Sequence, residues 1–212
     1  YNGVFLMTIY LVIYFLMTRF FRMRRWYLDG FLAAGIFVCL FGITDYFQMD
    51  LLGFKEGMVP EQREIYTSTL GNINTYTIYV GAVLTVSALL FMQETNWKRM
   101  LWYCGNMVLA SFALIMGTSD NAYLSLAALF GLSPLYLFQT KTGVRRYLIS
   151  AAAFFSVIQC IDWINAAFAD TVIGIDSAFN LIANLSFLPL IVLALWLLAG
   201  VVSVWTLRKK PV

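Results

Sequence analysis

The chain has 212 residues, 61% of them hydrophobic and 12% charged, whereas a soluble domain averages roughly 25% charged and 45–50% apolar residues. That excludes a water-soluble globule, a disordered chain, a disulfide scaffold and a nucleic-acid module, each of which needs a more polar, basic or cysteine-rich sequence. The net charge is +3 and histidine is absent, so a histidine-ligated metal, a histidine general base and a histidine triad are excluded as well.

In chain order, apolar runs fall at about 3–20, 27–47, 75–93, 101–117, 121–138, 148–168 and 186–206, each near the roughly 20 residues that a helix needs to cross a ~30 Å hydrocarbon core. The expected fold is all-α: one domain over 1–212, a polytopic transmembrane bundle of about seven helices. Basic residues follow every second run. Arg19, Arg22, Arg24 and Arg25 follow the first, Lys98 and Arg99 the third, Lys141, Arg145 and Arg146 the fifth, and Arg208, Lys209 and Lys210 the seventh. That leaves Lys55 and Arg63 alone on the other side, so the positive-inside rule predicts the N-terminus outside and the C-terminus inside. An odd helix count requires the same result. The chain opens at Tyr1 directly into an apolar run, so it reads as an excised part of something longer whose first helix can itself insert. Cys39, Cys104 and Cys160 all lie in apolar runs and read as packing residues.

Two longer segments, about 48–74 and 169–185, are expected outside. The first carries Gly53, Gly57, Pro60 and mixed charge, and the second is mostly apolar or neutral, which suggests a re-entrant or interfacial piece lying on the bundle. Where the first enters the 75–93 helix stands Thr67-Ser68-Thr69-Leu70-Gly71-Asn72-Ile73-Asn74-Thr75-Tyr76. Gly71 suits a turn at positive φ, Asn72 or Asn74 suits a helix cap, and the amides of the first turn are an anion site within a loop's reach of Arg63. A second outer turn reads Gly117-Thr118-Ser119-Asp120-Asn121-Ala122-Tyr123. Ser119 or Asp120 is expected to cap the next helix, with Asp120 and Tyr123 on one face at i, i+3. The third constellation is a stripe of Gln159, Asp162 and Asn165 facing one direction, which Asn106, Thr44 and Asp45 are positioned to join. An ionisable group at membrane depth is costly and faces a bundle interior or a wet cavity. Each pattern also has an ordinary structural reading, as a capped loop, a hairpin turn or interhelical hydrogen bonding.

These residues resemble the O-antigen ligase/polymerase family of bacterial membrane glycosyltransferases. The likeness covers roughly residues 1–140 and lies in order and spacing. A helix ending in a basic cluster is followed by a helix leading to Gly42-Ile43-Thr44-Asp45-Tyr46-Phe47. Outer Arg63 precedes Gly71-Asn72-Ile73-Asn74, and a helical hairpin is joined by a stretch bearing Thr118, Ser119, Ala122 and Leu124. The resemblance implies a multi-pass protein of the bacterial cytoplasmic membrane, part of a larger GT-C-like protein. It would transfer or polymerise an undecaprenyl-pyrophosphate-linked oligosaccharide onto a glycan or lipid acceptor at the outer face, without metal, nucleotide sugar or other cofactor. Its partners would be that donor, the acceptor and membrane lipids, with no nucleic acid.

On that reading Arg63, with Lys55, holds the departing pyrophosphate and Asp120 takes the proton of the acceptor hydroxyl. Gly71, Asn72, Asn74, Ser119, Asn121, Tyr123 and Asp162 contact donor or glycan. Where the family carries Ser-Arg at the second turn this chain has Ser119-Asp120, and it lacks the histidine-bearing outer loop of the family's ligases, so the expectation is either a segment that lacks part of the family's helices or a polymerase-like or degenerate relative. The competing expectation is a multi-pass transporter using an intramembrane polar site at Asp162 and Asn165. Retinal binding is excluded, because 186–206 contains no lysine to form the Schiff base.

Overall fold

A computed structural model of the protein describes residues 2–20, 22 and 24–208. Lys209 and Lys210 of the last basic cluster, and Tyr1, lie outside the described residues. Among these residues every regular element is helical: α1 Asn2–Phe20, α2 Arg25–Tyr46, α3 Pro60–Ile65, a 3-10 turn Ser68–Leu70, α4 Ile73–Gln93, α5 Trp97–Met116, α6 Asn121–Leu137, α7 Lys141–Ala167, α8 Ser177–Ala183 and α9 Leu188–Arg208. α1, α2, α4, α5, α7 and α9 are long and apolar enough to cross a membrane, and the protein is a multi-pass helical bundle. The remaining segment read as a span, α6, is apolar but has 17 residues. Its length of about 25 Å lies at the lower edge of the spanning range.

The helix starts follow from local chemistry. Asn72 caps α4 by accepting from the amides of Asn74 and Thr75, Asn96 caps α5 through the Lys98 amide, and Thr140 caps α7 through the Gly143 amide. The Thr140 cap explains why α7 begins at Lys141 rather than near 148. The basic residues 141–146 form its first turns, and Lys141 lies over the Trp205 ring at 4.4 Å. The 48–74 segment, read as a loop, contains α3, opened by Pro60 at a position where its missing N–H costs nothing, and the 3-10 turn. The 169–185 segment contains α8, which packs on α7.

The chain divides into two compact units, residues 1–31 and 32–212. In the first, the side chains of α1 from Val4 to Phe20 are exposed all round, the pattern of a helix whose whole surface meets lipid or other apolar surroundings. In the second, α4 is central and packs on α5, α6 and α7, while α7 also packs on α5, α6, α8 and α9. Tyr76 and Tyr103 of this core are fully buried and Tyr46 nearly so, and the Tyr76 hydroxyl donates to the Ala113 carbonyl at 3.2 Å. Small residues set the helix separations. A Cβ at Gly42 would run into the Tyr76 hydroxyl, and one at Gly81 into Ser125, so α4 approaches both α2 and α6 at distances that only glycine permits.

Candidate functional site

Three polar groupings stand out in the unit 32–212. The first joins the end of α2 to the segment that follows it. Asp45 accepts an ion pair from Lys55 Nζ at 2.9 Å on one oxygen and the Ser68 amide at 2.5 Å on the other. Ser68 is buried, sits at φ +56°, and donates its hydroxyl to the Val38 carbonyl at 2.8 Å. A serine in the left-handed region is strained, and these contacts hold it there. Asp50 receives the amides of Phe54 and Lys55 at 2.9 and 2.8 Å, and exposed Arg63 donates to the Lys55 carbonyl at 3.0 Å. Asp45, Lys55, Tyr66 and Ser68 border a cavity of about 10 Å³, room for about one water.

This geometry alters two expectations. Lys55 carries its charge to Asp45, so it is an ion-pair partner rather than an open anion ligand. The amides of Asn74 and Thr75 are also occupied, because the Asn72 side-chain oxygen accepts from both. The first turn of α4 is therefore a capped helix start rather than a vacant anion site. Gly71 does adopt the expected left-handed turn, at φ +73°, closing the 3-10 turn before Asn72.

The second grouping is an open cleft of about 670 Å³ between the start of α4, the 117–121 turn and Asp176. Its floor is a triad. Asn74 Oδ1 accepts from the Ser119 hydroxyl at 2.9 Å and from Asn121 Nδ2 at 3.3 Å, and Asn121 Nδ2 also reaches the Ser119 oxygen at 3.5 Å. The expected capping of α6 by Ser119 or Asp120 is not observed. Its N-cap residue, Asp120, makes no side-chain capping bond: the Ser119 hydroxyl points across to α4 and the Asp120 carboxylate stays exposed at the cleft. The preceding residue, Thr118, sits at φ +42°, which turns the chain so that 118–121 face α4.

Tyr123 pairs with Asp176 rather than with Asp120. Its hydroxyl donates to one Asp176 oxygen, the other oxygen accepts the Ser177 amide, and the Tyr123 ring lies 5.0 Å from that of buried Phe179. These contacts fasten α8 beside the cleft and make Asp176 part of its wall. Asp176 escaped the sequence reading because Asp-Ser before a short helix looks like a cap, which it also is.

The third grouping divides the expected stripe. Gln159 Nε2 donates to Asp162 at 3.3 Å, while Asn165 accepts from the Tyr46 hydroxyl and so ties α7 to α2. Asn106 and Thr44 bond backbone carbonyls of their own helices, and Asp45 belongs to the first grouping. None of them joins the stripe.

The structure thus brings Asn74, Ser119, Asp120 and Asn121 together on one cleft, with Tyr123 behind Asp176 on its wall, and places Arg63, Lys55 and Asp162 elsewhere. The first two groupings are neighbours along the chain. The small cavity reaches Ser68 and the cleft begins at Ile73, five residues apart and hence at most about 18 Å apart. Amide, hydroxyl and carboxylate groups on an open cleft suit a ligand rich in hydroxyls, which can donate to the carboxylates and both donate to and accept from the amides. No protein-family model, curated protein or solved structure matches the chain.

Proposed function

We propose that the protein is a membrane glycosyltransferase of the bacterial cytoplasmic membrane, of the O-antigen ligase/polymerase kind. It transfers or polymerises an undecaprenyl-pyrophosphate-linked oligosaccharide at the outer face, with its N-terminus outside. The observation that carries this reading is the Asn74–Ser119–Asn121 triad flooring a polar cleft that bears Asp120, a short stretch of chain away from the Lys55–Arg63 segment. In the proposed step an acceptor hydroxyl oxygen attacks the anomeric carbon of the donor sugar and the bond from that carbon to the phosphate oxygen breaks. The hydroxyl proton passes to Asp120, and undecaprenyl pyrophosphate departs with the bonding electrons. Arg63 offers a guanidinium with five donors, one of them committed to the Lys55 carbonyl, and charge-assisted bonds from it stabilise the leaving diphosphate.

The test is turnover of a lipid-linked oligosaccharide by the purified protein in lipid vesicles, followed as a product ladder on a gel. Arg63→Ala is expected to slow transfer about a hundredfold or more, as removal of one transition-state donor does. Asp120→Asn is expected to slow it by about 10²- to 10⁴-fold, the range of general-base loss. Unchanged rates in both variants would overturn these roles. The competing transport reading is favoured by Asp162, an ionisable side chain within a spanning helix. It predicts that Asp162→Asn abolishes solute flux with no change in the surface glycan of cells that carry it.

A further inference from the structure

The charge of the cleft separates its ligand from the diphosphate. Among the described residues its ionisable lining is Asp120 and Asp176, and its other polar lining is Asn74, Thr118, Ser119 and Asn121. No lysine or arginine among the described residues lines it. The nearest cations along the chain lie outside its lining, Lys55 paired with Asp45 and Arg63 beside the Lys55 carbonyl. Asp176 is held in place by the Tyr123 hydroxyl and the Ser177 amide, so its charge cannot swing away from the wall without breaking both bonds. Like charges brought within a few ångströms repel, all the more beside a low-dielectric wall. A diphosphate or an acidic sugar entering the cleft would therefore meet two carboxylates and no counter-charge, while a neutral sugar would meet only hydrogen-bonding partners.

We infer that the cleft is the acceptor subsite and that Asp120 and Asp176 make it selective for hydroxyl-rich glycans carrying no acidic group, the donor's diphosphate being held outside it. This rests on the reading of the cleft as a glycan site. It adds the division of donor from acceptor and the charge class of the acceptor.

The experiment measures binding without donor, to the full chain in lipid nanodiscs, by calorimetry. The probes are a neutral trisaccharide, maltotriose, and an acidic one of equal length, trigalacturonate. The wild type is expected to bind the neutral probe about tenfold or more tightly, with a smaller preference at high salt. Asp120→Asn is expected to cut the preference severalfold by tightening the acidic probe alone. Asp176→Asn, which keeps an oxygen for Tyr123, is expected to do the same. Equal affinities, tighter acidic binding, no neutral binding, or a ratio that neither substitution moves would overturn the inference. Its failure is distinguishable from that of the transferase reading. Preferential neutral binding without turnover of a lipid-linked donor contradicts transfer and upholds only the charge selectivity of the cleft, whereas turnover onto acidic acceptors as readily as neutral ones contradicts the inference alone.

Discussion

Pro134 lies inside α6, where proline lacks the amide that would bond the Phe130 carbonyl. In a bilayer an abandoned carbonyl is costly, and spanning helices tolerate proline when a neighbour takes its place. The Tyr147 hydroxyl of α7 does so, donating to the Phe130 carbonyl at 3.0 Å. Tyr147→Phe keeps the edge-on contacts of that ring with Phe130 and Phe138 and removes only the bond. It is expected to lower stability by about 0.6 kcal/mol, with about 1.7 as the upper end for such bonds, as read by mixed-micelle denaturation. No change would mean that the carbonyl is satisfied otherwise. Arg146, the residue before Tyr147 in α7, shows the same economy. Nine-tenths buried, it donates to the Glu94 carbonyl at the C-terminus of α4 at 3.3 Å and lies over the Phe91 ring at 5.0 Å, where the helix dipole and the ring face both favour a cation.

Among the elements, α6 decides the topology. If its 17 residues cross, the bundle has seven spans and the termini lie on opposite sides, as the distribution of basic residues requires. In a cysteine-free background, cysteines placed at exposed Asp120 and Gln139 should be labelled by a membrane-impermeant reagent from opposite sides of a sealed vesicle. Labelling of both from one side would make α6 a hairpin element and remove the agreement between helix count and charge bias. The helices themselves were legible because hydropathy and caps such as Asn72 are local signals. The start of α7 was less so. Residues 141–147 carry three charges, and only the Thr140 cap and the ring of Trp205, distant in sequence, show them to be helical.

At the scale of the whole molecule, the site was half legible. The two polar turns announced themselves by composition, and the structure joins them through Asn74, Ser119 and Asn121. Their contact over some 45 residues of chain has no local signature, and neither does the seat of Asp176 in the same wall or the pairing of Lys55 with Asp45. A long-range partner decides whether a charged side chain is a ligand or a strut, which spacing alone does not reveal. The most direct measurement is therefore catalytic: the wild-type protein in vesicles with a fluorescent undecaprenyl-pyrophosphate oligosaccharide and a neutral acceptor. The account predicts release of undecaprenyl pyrophosphate matched mole for mole by lengthened glycan. Donor recovered intact, from protein shown to be folded and correctly inserted, would contradict it.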